Sequence, residues 1–195
     1  MSDPTWRSLA AAGHTGDRAA ARAALHHDDP VARELALGAL ARLGELSDSD
    51  LLMAMSDANT TVRRRAVTIA ASRSAIDLFD ALHDADETVV EAAAWAAGEH
   101  ELVSDEVLDH LISLATAADD ALVREAAVAA LGAIGHERGL PAILAACVDK
   151  PAVRRRAVLA LAPFDGPEVE AALAAALQDR DWQVRQAAED IAPST

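Results

Sequence analysis

Residues 119–135 read DDALVREAAVAALGAIG. The stretch begins with an Asp, carries an arginine five positions later at Arg124 and an alanine three positions after that at Ala127. Apolar side chains then recur at helical spacing, and Gly135 stands where a left-handed glycine commonly ends a helix. The pattern predicts a turn followed by an amphipathic helix, whose start is capped by a short acidic side chain.

The same pattern is written six times along the chain, which is typical of a stacked repeat. The copies begin at Asp28, Asp57, Asp84, Asp119, Asp149 and Asp179. One aligned column holds Arg33, Arg63, Val90, Arg124, Arg154 and Arg185. Three positions later, another column is Ala36, Ala66, Ala93, Ala127, Ala157 and Ala188. Although 49 of the 195 residues are alanine, an alanine in six of six copies is hard to obtain from composition alone.

A shorter helical segment precedes each copy, so each repeat is predicted to be a helical hairpin. The shorter segment is the first helix of the hairpin, and the copy of the pattern forms its second helix. These first helices are predicted at residues 17–27, 48–56, 74–83, 105–117, 138–148 and 167–178. The repeats span approximately residues 17–44, 48–73, 74–100, 104–135, 138–164 and 167–192. Residues 5–12, around Trp6, are predicted to form an N-terminal capping helix, because the end of a stack must shield its apolar face.

Composition points to the same fold class. Alanine favours helices and contributes little to sheets, so a β-rich fold is nearly excluded. The predicted fold is therefore all-α: a right-handed α-solenoid of about six hairpins, forming one domain over residues 1–195. The N-terminus has no apolar stretch of secretory length, no uncharged run is long enough for a membrane span, and one cysteine cannot form an internal disulfide. A cytoplasmic protein that does not bind membranes is expected.

The charge is strongly negative and unevenly distributed. The net charge is −15, and no Lys or Arg occurs between Arg73 and Arg124, whereas 13 acidic residues do. Binding through phosphates depends on clustered basic side chains, so nucleic acid is disfavoured as a partner.

The repeat resembles the HEAT-like repeats of the phycobilisome-lyase type, a bacterial branch of the HEAT and armadillo solenoids. The resemblance spans roughly residues 17–192 and rests on the turn aspartate, the arginine, the alanine and endings such as LGAIG at residues 131–135. It implies a ladder of bonds between successive repeats, formed by Asp28 with Arg33, Asp57 with Arg63, Asp119 with Arg124, Asp149 with Arg154, and Asp179 with Arg185. Val90 replaces the arginine of the third copy, so the ladder should be interrupted there.

The resemblance implies several functions, because the family includes scaffolds, chromophore-attachment proteins, a DNA glycosylase and an iron hydroxylase. The chain has no GxSxG, no Gly-rich phosphate loop and no HExxH, so no catalytic residue is predicted. Its two His-Glu pairs, at His100 and His136, fall in loops after second helices, whereas the hydroxylases place theirs near helix starts. No metal or cofactor is therefore expected. Cys147 lies in an apolar helix and is expected to be an inert, buried thiol.

Helical geometry predicts a binding surface. In each second helix, the positions one, five and nine after the arginine column lie opposite the core face and would line the concave side of a solenoid. In the second helix of the third repeat these residues are Glu91, Trp95 and Glu99. The second helices of other repeats contribute Arg64, Glu125 and Arg155. A tryptophan among small side chains and carboxylates has the composition of a socket for a cation or a basic peptide.

Each part of this surface has an alternative interpretation. Trp95 would instead fill space between adjacent helices, and the acidic segment would serve only solubility. Arg64 and Arg155 would either bind an acidic part of the partner or form ion pairs with acidic side chains of the same chain.

The function predicted from these observations is a non-catalytic scaffold or adaptor that binds another protein through a basic or Arg-containing segment. The alternative is an accessory enzyme or cofactor-maturation factor of the phycobilin-lyase kind, with a DNA glycosylase or an iron hydroxylase less favoured.

Overall fold

The computed structural model describes residues 6–191, which fold into α-helices joined by short turns, with no strand in this part of the chain. The chain divides into two units, the first ending at Asp77 and the second beginning at Leu78. A single domain over residues 1–195 stays a prediction. Residues 5 and 192, at the ends of the predicted cap and the last repeat, lie outside the described residues.

The first unit is a stack of helices that begins with the predicted cap. Its helices are α1 (Trp6–Thr15), α2 (Arg18–Ala24), α3 (Pro30–Leu43), α4 (Asp48–Met55) and α5 (Thr60–Ala70). Helix α1 packs against α3, and α3 packs against α5, while α2 packs against α3 and α4 packs against α5. Leu9 and Ala12 of α1 are fully buried, so α1 shields the apolar face of the first hairpin.

The second unit repeats this arrangement. Its helices are α6 (Phe79–Leu82), α7 (Glu87–Glu99), α8 (Asp105–Ala117), α9 (Ala121–Ile134), α10 (Leu140–Ala146), α11 (Pro151–Ala160), α12 (Pro167–Ala176) and α13 (Trp182–Ile191). A 3₁₀ turn, Glu137–Gly139, precedes α10. The second helices α7, α9, α11 and α13 pack on one another in chain order, with a first helix against each. The predicted all-α solenoid fold is confirmed.

The core is formed where consecutive second helices meet. Every alanine of the repeated column is fully buried: Ala36, Ala66, Ala93, Ala127, Ala157 and Ala188 each have 0% exposure. The residue one position before the arginine column, such as Val62 or Val153, is also buried in each copy. Small and β-branched side chains therefore bring the second helices close together, and this fixes which residues remain on their outer faces.

Residues 74–78 do not form the predicted first helix of the third repeat, and α6 has only four residues. Ile76 and Leu78 are both buried. The helical prediction for these residues is wrong: turns and bends in which Ile76 and Leu78 are buried take the place of the helix.

Short polar side chains start most of the second helices. The carboxylates of Asp29, Asp86, Asp120 and Asp181 each accept a hydrogen bond from the backbone N–H two residues later, and Asn59 does the same for α5. Pro30, Pro151 and Pro167 occupy first helical turns, where the missing N–H has no intrahelical partner to lose. The local start signals in the sequence are thus used as helix caps.

Gly44 and Gly135 end second helices, and the prediction for Gly135 is confirmed. Gly44 and Gly135 have φ values of 69° and 66°. This is the left-handed backbone conformation, which glycine adopts readily and which is strained for residues that have a Cβ atom. Gly98 instead lies inside α7. A Cβ placed on Gly98 would lie 3.0 Å from the Cα of Ala130, so this glycine permits close packing of α7 on α9.

The arginine column joins successive hairpins through paired hydrogen bonds. The Nε and Nη2 atoms of Arg33 donate to the carboxylate of Asp57 at 2.7 Å each. The same atoms of Arg124 donate to Asp149 at 2.6 and 2.9 Å, and those of Arg154 to Asp179 at 2.8 Å each. These hydrogen bonds hold the pKa values of Asp57, Asp149 and Asp179 below their ordinary range.

Within its own repeat, an arginine of the column contacts the backbone instead of the aspartate side chain. The Nη1 atoms of Arg33, Arg63, Arg124, Arg154 and Arg185 donate to main-chain carbonyls of the turn that precedes their helix. The pairs implied by the resemblance therefore meet through the main chain, and the side-chain carboxylates of Asp57, Asp149 and Asp179 bind the column arginine of the preceding repeat. Val90 is buried and has no donor to offer, and Asp119, in the next repeat, is exposed.

Candidate functional site

Trp95 lies on the open side of α7. Its side chain is 45% exposed, whereas Ala93, Ala94, Ala96 and Ala97 around it are fully buried. Residues 91, 95 and 99 follow one another at intervals of four and share one face of the helix. Glu99 is exposed and Glu91 is half-buried on this face. The structure thus places an indole between two carboxylates on one helix surface.

Helices α7 and α9 approach each other closely at Gly98. A Cβ on Gly98 would meet both the Cα and the Cβ of Ala130, at 3.0 and 3.3 Å. At Gly98 the two backbones therefore leave no space for a larger side chain. The alternative interpretation of Trp95, that it fills space between adjacent helices, stays a prediction.

Glu125 is engaged within the chain. Its Oε1 accepts a hydrogen bond of 3.4 Å from Nη2 of Arg156, and its side chain is 22% exposed. The neighbouring Arg155, chosen from the sequence, is exposed instead. Arg156, two positions after Arg154 of the arginine column, therefore forms the ion pair within the chain, whereas Arg155, one position after it, is directed to solvent. Glu125 already has a counter-ion, so it contributes less negative charge to a partner than Glu91 or Glu99.

Arg64 belongs to α5 in the first unit and is exposed. Its main-chain carbonyl accepts the hydroxyl hydrogen of Thr68 at 2.8 Å. The side chain of the neighbouring Arg65 extends to the preceding second helix, α3. A Cβ placed on Gly38 of α3 would lie 2.8 Å from the Nη2 atom of Arg65. Arg65 on α5 and Arg156 on α11 both stand two positions after the column arginine, and both contact the preceding second helix.

An aromatic cluster that the sequence did not indicate joins α6 to α8. The imidazole rings of His83 and His110 are stacked with centroids 3.7 Å apart, and Phe79 lies 4.5 Å from His83. His110 Nε2 lies 3.1 Å from the carbonyl oxygen of Leu82. Burial lowers the pKa of His110, with a further contribution from His83. His83 directly follows α6, His110 lies on α8, and no repeated pattern connects them, so only the tertiary structure reveals the contact.

The His-Glu pairs are used structurally in part. His136 caps the 3₁₀ turn before α10 by accepting a hydrogen bond from the N–H of Arg138 at 3.2 Å. His100 is buried at the end of α7. Both histidines therefore lie where second helices end, as the sequence predicts.

Cys147 is expected to react slowly with thiol reagents. Burial raises its pKa from 9.0 to about 11, and Sγ lies 3.5 Å from the carbonyl of Ile143. Because the thiolate is the reactive species, at pH near 8 its modification by a disulfide reagent should be roughly 100-fold slower than that of a free cysteine. Absorbance of the released thiol measures the rate. The urea-unfolded chain is the control, in which the reaction should be fast; rapid reaction of the folded chain would contradict the prediction.

No helix within residues 6–191 combines the length and the apolar character that crossing a bilayer requires.

Comparisons with solved structures identify the fold at low sequence identity. A designed armadillo repeat protein in complex with the peptide (KR)4 matches with a TM-score of 0.65 and 20% identity, over 88% of this chain and 96% of that one. An engineered protein matches with a TM-score of 0.64 and 19% identity, over 88% and 95%. YibA of Escherichia coli matches with a TM-score of 0.62 and 20% identity, over 79% of this chain, which spans 60% of the length of YibA. No curated protein sequence matches the chain.

Family models identify the repeats themselves. A model described as HEAT repeats matches residues 51–132 and 75–152, which together exceed half of the chain. A model described as PBS lyase HEAT-like repeat matches residues 153–179. The matched segments contain Arg63, Arg124 and Arg154 of the arginine column, together with the buried alanines that follow them. The chain belongs to the family of HEAT-repeat proteins.

Proposed function

We propose that this HEAT-repeat protein is a non-catalytic scaffold that binds a basic or Arg-containing segment of another protein on the face of α7. The observation that carries the proposal is the exposure of Trp95 between Glu91 and Glu99 on a helix whose opposite side is fully buried. We place this binding in the cytoplasm as part of the same proposal.

The charge around Trp95 supports a cationic partner. No Lys or Arg occurs from residue 74 to residue 123, so neither α7 nor α8 carries a basic residue of its own. Arg138 pairs with Asp105 and Asp109 of α8. A guanidinium or ammonium group over an indole is stabilised by the ring quadrupole, and nearby carboxylates add to this attraction. The fold is also compatible with such an occupant, because a designed armadillo repeat protein of the same fold is in complex with (KR)4.

The remaining predicted residues have smaller parts in the proposal. Glu125 shares its charge with Arg156, so it lies at the margin of the surface. Arg155 is exposed and would contact an acidic residue of the same partner segment. Arg64, on the first unit, would do the same for a separate segment.

Replacing Trp95 by alanine is expected to weaken binding of a (KR)4 peptide about tenfold, because the indole provides the contact area and the cation–π attraction. Isothermal titration calorimetry measures the affinity, and circular dichroism verifies that the helical content is unchanged. Trp182→Ala is the matched control, since Trp182 is also exposed but lies on α13; its affinity should equal that of the wild type.

Unchanged affinity in Trp95→Ala would contradict the proposed surface. A second readout separates charge from contact area: Glu91→Gln with Glu99→Gln should weaken binding and flatten its salt dependence. A visible absorption band of the purified chain, abolished by Trp95→Ala, would instead favour a cofactor-handling protein and overturn the scaffold function.

A further inference from the structure

Arg156 binds Glu125 across two consecutive second helices of the second unit. Its Nη2 atom donates to Oε1 of Glu125 at 3.4 Å, and the two side chains are 39% and 22% exposed. Glu125 stands one position after the column arginine of α9, and Arg156 stands two positions after that of α11. The chain thus contains its own example of a guanidinium held by a carboxylate between neighbouring second helices.

Helices α7 and α9 pack in the same register as α9 and α11. A Cβ on Gly98 would lie 3.0 Å from the Cα of Ala130, and a Cβ on Gly132 would lie 2.6 Å from the Cα of Ala160. Both glycines stand eight positions after the column residue of their helix, and both alanines stand six positions after theirs. Equivalent residues therefore lie opposite each other in the two helix pairs.

Glu91 is the residue of α7 that corresponds to Glu125. On α9, the position that corresponds to Arg156 is occupied by Ala126, whose methyl group is too short to reach a carboxylate on the neighbouring helix. No Lys or Arg of residues 6–191 forms an ion pair with Glu91, and residues 1–5 and 192–195 contain neither residue type. The carboxylate that binds an arginine in one repeat is therefore left without an arginine in the repeat before it.

We infer that Glu91 binds an arginine of the partner segment, and that Glu91 and Ala126 make the binding surface selective for arginine over lysine. This inference rests on the proposed function and specifies the residue type that the surface recognises. The partner guanidinium lies between α7 and α9 beside Glu91, as the guanidinium of Arg156 lies between α9 and α11 beside Glu125.

Trp95 adds to the selectivity. Glu91 and Trp95 are four positions apart, so their Cβ atoms lie about 6 Å apart on one face of α7. A planar guanidinium binds a carboxylate through its edge and stacks its face on an aromatic ring, whereas an ammonium group is a compact and strongly hydrated charge. One arginine side chain can therefore contact both residues, and a lysine gains less from the indole.

A second copy of this chain is a poorer source of the arginine than a different protein. Each copy has a net charge of −15, so two copies repel each other. A short basic segment has the opposite charge, and α7 and α8 carry no Lys or Arg that would repel it. The occupant is therefore an arginine-containing segment of net positive charge.

Two peptides of equal length and charge, (GR)4 and (GK)4, test the selectivity. Each is titrated into the 195-residue chain, and isothermal titration calorimetry measures the affinity. The chain should bind (GR)4 about tenfold more tightly than (GK)4, because only the guanidinium binds the carboxylate and stacks on the indole together. Glu91→Gln should reduce this ratio to about twofold, since the indole alone remains to distinguish the two cations.

Ala126→Arg places within the chain the arginine that the inference assigns to the partner. It should weaken (GR)4 binding about tenfold, because the new side chain would reach Glu91 as Arg156 reaches Glu125. Ala145→Arg is the matched control, since it adds the same charge to an exposed position of α10 in the same unit. At about 0.15 M salt, which screens distant charges, it should change the affinity by less than about twofold. Circular dichroism verifies that both variants are folded.

The outcomes separate this inference from the proposed function. Equal affinities for (GR)4 and (GK)4, both weakened by Trp95→Ala, would overturn the selectivity and leave the scaffold function in place. Binding of neither peptide would overturn both. Unchanged (GR)4 affinity in folded Ala126→Arg would also overturn the inference, because the arginine would then bind away from Glu91. Self-association of the chain in sedimentation experiments, lost in Glu91→Gln, would assign the surface to a second copy and overturn the choice of a different protein.

Discussion

Replacing Arg154 by methionine is expected to lower the free energy of unfolding by about 3 kcal/mol, because it leaves a largely buried carboxylate without its partner. The side chains of Arg154 and Asp179 are 7% and 15% exposed, and their two hydrogen bonds measure 2.8 Å each. The substitution also removes the donor to the carbonyl of Asp149. Urea denaturation followed by circular dichroism and by the fluorescence of Trp182 measures the loss.

The neighbouring Arg155→Met is the matched control, since it removes an exposed arginine from the same helix and should change stability by less than about 0.5 kcal/mol. The double variant Arg154→Met with Asp179→Asn should be more stable than the sum of the single changes predicts, because no unpaired charge remains. If the stability loss of the double variant equalled the sum of the two single losses, the loss could not be assigned to the interaction between Arg154 and Asp179.

The difference between Arg154→Met and the wild type should also depend on pH. Arg154 lowers the pKa of Asp179 in the folded chain below its value in the unfolded chain. Stabilisation by this pair is therefore fully present above the unfolded pKa and is lost as the pH falls through the folded pKa. The stability difference should narrow progressively in acid, and a difference that stays constant down to strongly acidic pH would contradict the role of the Asp179 carboxylate.

Replacing Gly132 by alanine is expected to destabilise the second unit by about 2 kcal/mol, although alanine is the better helix former. A Cβ at this position would lie 2.6 Å from both the Cα and the Cβ of Ala160, and 3.0 Å from its carbonyl oxygen. These are atoms of a backbone that cannot rotate away, so α9 and α11 must separate and lose contact along their length. Thermal and urea denaturation measure the effect.

Gly38→Ala is the matched control because Gly38 also lies inside a second helix, α3. Its Cβ would meet only the guanidinium of Arg65, at 2.8 Å from Nη2, which is the flexible end of a long side chain. Arg65 can move, so the gain in helix propensity, about 1 kcal/mol, should leave this variant as stable as the wild type or more stable. Equal losses in the two variants would show that backbone contact between α9 and α11 is not the cause.

The candidate site illustrates how far a repeated pattern can predict a surface. The interval of four places Glu91, Trp95 and Glu99 on one helix face, and the buried alanines of α7 occupy the opposite face, as the periodicity indicates. The pattern does not reveal which charges remain available. Glu125 and Arg155 occupy equivalent positions on consecutive helices, yet Glu125 has Arg156 as a partner while Arg155 is exposed. That difference depends on the side chain one helix away, which periodicity within a helix cannot specify.

The sequence by itself determined the hairpins, their order and their core face, because helix starts, helix ends and apolar periodicity are properties of short segments. Only the tertiary structure decided that the carboxylate bound by Arg154 is Asp179, that Gly98 lies within α7, and that residues 74–78 are not helical. These outcomes depend on the distance between packed helices. That distance is set by the summed fit of many side chains, not by any one segment of the chain.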